Sequence, residues 1–295
     1  MKVFSSFGNN ENIEDSVQST CIGAFDGVHL GHQNLIQKTK NISNSFQIVT
    51  FDKVPKNYFD SNHKLLSTNE FKSKIFSNFK PKNLIFLRFE EINQLSPEKF
   101  CLFLKQNLKT KDIFVGKDFK FGKNRSGDVS YLINYFGNNS IHIIDDFKID
   151  NIKVSSTLIK NLLNDGNVTT ANQYLGYEYE IVGNVIGGEK RGSTIGFPTA
   201  NLNFDQSLML PKKGVYKVKV KIDSKEFLGI TNIGTKPTFN NKDDISFEVH
   251  ILNFSNMIYG KDISVNFLKF IREEKKFSGV NELINQIKKD IASIN

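Results

Sequence analysis

His29 and His32 stand three residues apart in the stretch Gly23-Ala24-Phe25-Asp26-Gly27-Val28-His29-Leu30-Gly31-His32. On a helical turn that spacing puts both imidazoles on one face. Glycines at 23, 27 and 31 keep side chains out of the way, so backbone can approach a bulky anion. Thr20-Cys21-Ile22 before the stretch reads as the end of a strand, and Gln33 to Thr39 after it reads as a helix. A helix N-terminus offers unpaired amide N–H groups, so this junction suits the phosphates of a nucleotide. Gly23, Phe25, Asp26, Gly27 and Gly31 are candidate phosphate-loop residues, with His29 and His32 the candidate catalytic pair.

A second centre lies at Gly187 to Asn201, GGEKRGSTIGFPTAN. Gly187, Gly188, Gly192 and Gly196, with Lys190, form a loop able to wrap phosphates beside Pro198. Thr199 brings a hydroxyl oxygen and Asn201 an amide oxygen, hard ligands suited to Mg²⁺. Phosphoryl transfer to an alcohol needs a base near the attacking hydroxyl and a metal across the transferred phosphate. Glu248, in Phe247-Glu248-Val249-His250, reads by itself as a strand glutamate on a solvated face; His250 reads as structural or supporting.

Two further stretches carry chemistry. Val115 to Asp128, VGKDFKFGKNRSGD, interleaves Phe119 and Phe121 with four basic residues. Such a pattern stacks on bases of single-stranded nucleic acid, or forms a loop over a planar heterocycle bearing phosphates. Val154 to Leu163 begins a helix that Ser155 or Ser156 can cap, with Lys160 one turn in. Hydroxyls and a cation at a helix start suit the β- and γ-phosphates of ATP.

The positioning elements fall into two kinds. Up to about residue 144, strand candidates at Thr20–Ala24, Phe46–Phe51, Leu84–Leu87, Ile113–Val115 and Ile141–Ile144 alternate with helix candidates at His32–Asn41, Thr68–Phe79, Pro97–Leu108 and Val129–Phe136. That alternation predicts a parallel sheet wrapped by helices, with ligands beyond the strands' C-terminal ends. From Tyr179 onward, short strands follow one another at Ile181–Ile186, Thr199–Leu202, Val215–Ile222, Phe227–Ile233, Ser246–Leu252 and Ile263–Phe270, then a helix over Val280–Ala292. Evenly spaced strands of this kind predict a small antiparallel barrel. The fold class expected is α/β followed by β, with domains at 1–177 and 178–295.

The 295 residues suit two domains, and no apolar run is long enough to span a bilayer. The start, MKVFSSFGNNENIEDS, lacks the basic and apolar parts of a signal peptide. Cys21 and Cys101 have no disulfide or metal-ligand pattern, so a cytoplasmic protein is expected. The net charge of +8 is spread along the chain without a like-charge block, which argues against a nucleic-acid tail.

These motifs also carry a resemblance, over nearly the whole chain. The segment G-x-F-D-G-V-H-x-G-H resembles the HxGH signature of nucleotidylyltransferases, and its Phe-Asp-Gly-Val lead-in resembles the FAD synthetase part of bifunctional riboflavin kinase/FMN adenylyltransferases. Val115 to Gly122 resembles that family's V-G-x-D-F-x-F-G flavin loop, which implies Asp118, Phe119, Phe121 and Arg125 on the flavin. Val154 to Lys160 resembles I-S-S-T-x-I-R and implies Ser155, Ser156, Thr157 and Lys160 on pyrophosphate, with Lys153 sharing the load. Lys160 replaces Arg, keeping the charge and losing the bidentate fork. Gly196 to Leu202 resembles the riboflavin kinase run G-F-P-T-A-N-L, with Ser193 where the family often has Arg. Gly214-Val215-Tyr216 resembles its G-V-Y, Asn232 to Phe239 its N-I-G-x-x-P-T-F, and Glu248 its catalytic glutamate in E-x-H, which implies the role of base for Glu248. Asn253 stands near a common Asp, and Arg272 is implied on the kinase's flavin side. Thr50 to Pro55 resembles T-F-x-P-x-P without its first Pro, and Ser67 stands where Thr is usual.

The resemblance implies two ATP-dependent reactions with Mg²⁺: riboflavin to FMN, releasing ADP, and FMN to FAD, releasing pyrophosphate. It implies a monomer or weak homo-oligomer without nucleic-acid or membrane partners. Two other readings stay open: an adenylyltransferase for another phosphorylated metabolite, which leaves the second domain unused, and a non-enzymatic nucleic-acid-binding protein using the Phe-rich basic loops.

Overall fold

The computed structural model describes residues 1–5, 17–60, 62–188, 191–235 and 245–294, and of Arg191 and Ser193 only the backbone. By contacts the chain divides into two units, Met1–Ser156 and Thr157–Asn295.

The first unit holds a six-stranded parallel sheet: β1 (Lys2–Ser5), β2 (Ser19–Ile22), β3 (Phe46–Phe51), β4 (Asn83–Leu87), β5 (Asp112–Gly116) and β6 (Ile141–Ile144). Their order is β1-β4-β3-β2-β5-β6. The helices are α1 (Leu30–Ile42), α2 (Asn69–Ser77), α3 (Pro97–Gln106) and α4 (Val129–Phe136). Every residue of β2, β3 and β4 is buried, as expected of a parallel sheet covered on both faces. The two-residue period of a strand divides neighbours between the faces. Cys21, Ile48, Leu84 and Phe114 pack with Ile36 and Phe76 on one side. Their successors Ile22, Val49, Ile85 and Val115 pack with Phe100 and Leu104 on the other. Thr68, Ser96 and Asp128 cap α2, α3 and α4 with side-chain oxygens, each contact worth about 1 kcal/mol. The expected strands and helices of this unit all form. β1 was not expected: it is a mostly exposed edge strand with too little apolar content to signal itself.

The second unit opens with α5 (Ser156–Asn164), whose first residue belongs to the first unit, and α6 (Val168–Leu175). The strands β7 (Glu180–Ile186), β8 (Ala200–Phe204), β9 (Gly214–Ile222), β10 (Lys225–Thr235), β11 (Ile245–Ile251) and β12 (Asp262–Arg272) follow, then α7 (Val280–Ala292). They close an antiparallel barrel in the order β7-β8-β11-β10-β9-β12, with β12 returning to β7. Alternation in β9 buries Tyr216, Val218 and Val220 inside the barrel core. The change of pattern near Tyr179 suggested a boundary at 177/178, whereas contacts place α6 with the barrel. Asn172 explains this: its amide donates to Phe267 O at 2.8 Å and its oxygen accepts from Tyr179 N at 2.8 Å.

Candidate active sites

In the sheet, the succession of neighbours reverses at β2 and β5, and ligands of such folds sit outside the strand ends at that switch point. The Gly23–His32 loop leaves β2 there. Phe25, Gly27 and Val28 all have positive φ (50°, 79° and 35°), an uncommon backbone that surrounding contacts must hold. The Asp26 carboxylate accepts from Leu66 N at 2.8 Å, Gly27 N donates to the Ser67 hydroxyl at 3.0 Å, and the Ser156 hydroxyl donates to Asp26 O at 2.9 Å. A Cβ on Gly27 would lie 2.8 Å from the Leu66 side chain, so this position needs glycine on both counts. Asp26 and Ser156 therefore hold the loop itself. Gly23 leaves room for the Phe25 ring, and Gly31 for the His29 ring, each within 3.1 Å of where a Cβ would stand.

His29 is the N-cap of α1: its Nδ1 accepts from His32 N at 3.4 Å. A neutral His29 using Nδ1 as acceptor carries its proton on Nε2. The two imidazoles stack 3.6 Å apart, and Phe25 meets His32 edge-on. Burial pushes the His29 pKa down to about 4, against the pull of Asp26. Burial, helped by His29 and Lys72, holds His32 well below its usual value. Both rings are then neutral N–H donors at pH 7.

This has a sign that can be checked. Between pH 6.5 and about 4 the unfolded chain binds protons at His29 that the folded one refuses, so stability falls as pH falls through that window. The slope approaches about 1.4 kcal/mol per pH unit for one histidine. His29→Asn keeps a capping oxygen. Denaturant melts at pH 7 and pH 4.5 should show a smaller acid loss for His29→Asn than for the parent; equal losses would refute the assignment.

Beside the loop, Lys153 is committed to two carboxylates, Asp118 at 2.6 Å and Asp146 at 2.9 Å, and these raise its pKa. Lys117 joins through Asp146 at 2.7 Å. Ser155 is half-buried ahead of α5, while Thr157 and Lys160 fall in its first turns, in the second unit.

The same unit has a cavity of about 540 Å³ lined by Phe51, Phe59, Phe89 and Phe121, with Lys56 and Arg125 at its wall. Phe89 is edge-on to Phe51, Tyr58 and Phe59, 5.2–5.9 Å between centroids. Asp52 holds this wall by accepting from Phe89 N at 2.8 Å. Of the four residues expected on the heterocycle, Phe121 and Arg125 line the cavity. Phe119 stacks behind Phe121 at 5.6 Å, and Asp118 is turned to Lys153. The aromatic wall at Phe59 and Phe89 was missed by sequence reasoning; the cluster Tyr58-Phe59 just after Pro55 was the available signal.

In the barrel, β8 and β10 flank β11, so Asn201 and Asn232 both stand opposite Glu248. The Glu248 carboxylate accepts from the Ser246 hydroxyl at 2.9 Å and from the Thr199 hydroxyl at 3.3 Å. Thr199 is thus brought beside the carboxylate, and Asn201 pairs with Glu248 across neighbouring strands. Gly188 lies against the Asn201 amide so closely that any Cβ there would overlap it. The Gly192 carbonyl anchors the turn, accepting from Phe197 N at 2.8 Å. Gly196 has φ of 86°, and no atom crowds Gly187. His250 Nδ1 donates to Pro198 O at 2.8 Å, holding the segment that carries Thr199. Two cavities meet at Thr199. One, of about 270 Å³, is lined by Phe197, Val215, Ile230 and Glu248. The other, of about 190 Å³, is lined by Pro198, Val249, Ile251 and Tyr259. Arg272 lines the larger, but its guanidinium forks onto the buried Asp290 of α7 at 2.8–3.0 Å. Lys190 and Lys236 to Phe239 lie outside the described residues, as does the Ser193 side chain.

Both sites place donors and oxygen ligands where phosphates can be held. Together they define a two-site phosphate-transferring enzyme. The comparisons specify which. A family model for FAD synthetase matches residues 11–158, and one for riboflavin kinase matches 175–295. A bifunctional riboflavin kinase/FMN adenylyltransferase of Listeria monocytogenes is 36% identical over 91% of this chain and 88% of its own. Those of Bacillus subtilis (34%, 94% and 91%) and Escherichia coli (32%, 95% and 93%) agree. A solved Streptococcus pneumoniae structure, described as a macrolide-efflux protein, is 29% identical with TM-score 0.89 over 100% of this chain and 99% of that one. Among the described residues of the present chain no helix is long and apolar enough to cross a membrane. The chain belongs to the bifunctional riboflavin kinase/FMN adenylyltransferase family.

Proposed function

We propose that the barrel unit phosphorylates riboflavin and that the α/β unit adenylylates the FMN produced. For the second activity we keep the sequence boundary at residue 177, because Thr157 and Lys160 belong to its phosphate signature. The observation that carries the reading is the Glu248 carboxylate in the wall of the larger cavity, hydrogen-bonded to Thr199, which lines both cavities.

In the kinase reaction the isoalloxazine occupies the larger cavity and the adenosine the smaller. The ribityl 5′-hydroxyl attacks the γ-phosphorus; a new O–P bond forms, the bond to the β-phosphate oxygen breaks, and ADP leaves. Glu248 takes the hydroxyl proton. Thr199 and Asn201 are neutral oxygen donors beside a carboxylate, a set that fits Mg²⁺ carried in with ATP phosphates. Such an ion offsets the phosphate charge when bound.

In the adenylyl reaction an FMN phosphate oxygen attacks the α-phosphorus of a second ATP. The bond to the β-phosphate bridging oxygen breaks and pyrophosphate leaves. His29 and His32 donate N–H bonds to oxygens gaining charge. The aromatic cavity behind Phe121 takes the flavin, and Arg125 with Lys56 favours its phosphate.

Incubation with riboflavin and MgATP should give FMN first and then FAD on a chromatogram, and EDTA should stop it. Unchanged riboflavin would count against the reading. Oligonucleotide binding that falls steeply with salt, with no turnover, would favour the nucleic-acid alternative.

A further inference from the structure

Lys72 has no part in the chemistry above, yet it is 1% exposed and lies directly behind the imidazole loop. It comes from α2, and its ammonium reaches Ala24 O at 3.3 Å. The Thr50 hydroxyl donates to the same oxygen, also at 3.3 Å. Ala24 is the residue before the positive-φ turn at Phe25. An ammonium has three N–H groups, and one long contact to a carbonyl among the described residues leaves it poorly compensated for leaving water. The titratable groups facing it are Asp26 and His32 of the loop and Asp52 after β3. Burial draws its pKa down to about 8 although both aspartates oppose this.

A lysine kept only to tether one carbonyl would be a poor choice. A well-packed apolar side chain in place of a buried charge is often neutral or stabilising. The charge has a use in the adenylyl site, however. Both imidazoles are neutral there, and Lys153 is held by Asp118 and Asp146. ATP and FMN together bring a large negative charge, and a buried cation with low-dielectric walls focuses its field on such a ligand.

We propose that Lys72 is a positioning residue of adenylyl transfer: through the Ala24 carbonyl it holds the Phe25–His29 turn toward the triphosphate, and its ammonium supplies that pocket's fixed positive potential. The proposal rests on the adenylyltransferase reading given above, and the experiment separates the two.

In the parent, FAD formation from FMN and MgATP is followed from pH 6 to pH 10 and should decline through an alkaline limb near pH 8. A parent that forms no FAD at any pH fails the underlying reading before a variant is compared. Lys72→Met keeps the stem and volume. It should lower kcat/KM for ATP in FAD formation by at least about 10-fold, chiefly through KM, and its residual activity should lack the limb. Its riboflavin phosphorylation and melting temperature should be no lower than the parent's. Lys72→Arg should retain more activity than Lys72→Met, with the limb moved to higher pH. Full FAD synthesis by Lys72→Met overturns the proposal. So does a lost activity accompanied by a lower melting temperature, which marks a structural role, or a limb that survives in Lys72→Met.

Discussion

Glu248→Ala stops FMN formation and leaves the conversion of supplied FMN to FAD near the parental rate. A positioned general base contributes about 10²–10⁴ in rate, and here the same carboxylate also accepts from Thr199 and Ser246. Truncation therefore removes the proton acceptor and frees the Thr199 hydroxyl from its partner. Glu248→Gln separates these effects. The two hydroxyls address different oxygens of Glu248; in glutamine the amide oxygen accepts from one and the NH2 donates to the other, so the site's geometry persists while the base is gone. Equal loss in Glu248→Gln and Glu248→Ala assigns the effect to proton transfer; substantial activity in Glu248→Gln would show that Glu248 only arranges Thr199. Loss of FAD synthesis from supplied FMN in either variant would argue against two separate sites.

The parts legible in the sequence are those where local pattern and tertiary role coincide. β3 reads as Phe46–Phe51 and α4 as Val129–Phe136 in both sequence and structure, because turn residues bound them and their apolar content exceeds any alternative. The proximity of the two imidazoles was legible because their neighbours in sequence are also their neighbours in space: His29 caps the helix that carries His32. What stayed hidden depends on contacts between distant segments. Asp26 is beside the histidines in sequence, yet its carboxylate is aimed at Leu66, forty residues away, so it holds the turn and a phosphate-loop reading cannot show this. Lys153 looked available for phosphate until Asp118 and Asp146 were placed around it. Arg272 was expected on flavin; it lines the larger cavity, and that its fork also meets a buried aspartate of α7 was not legible. Lys72 gave no signal: in an amphipathic helix a lysine reads as solvent-facing, and only the packing of α2 on the loop buries it.

His32→Ala should have the opposite selectivity to Glu248→Ala: riboflavin is converted to FMN at the parental rate and the product stops there. Loss of one preorganised donor to developing charge lowers such rates by about 10²–10³. A structural explanation predicts something different. The His32 Nδ1 is buried and has no hydrogen-bond partner among the described residues, so truncation breaks no bond at that atom there and removes a buried polar group left unsatisfied. Alanine also suits the first turn of α1. What the fold loses is the stack on His29 and the edge contact with Phe25, a modest loss of about 0.5–1.5 kcal/mol per aromatic pair. Thermal melting should therefore move little while FAD synthesis collapses. Normal FAD synthesis by His32→Ala, or a collapse of FMN formation along with it, would remove the imidazole pair from the adenylyl step.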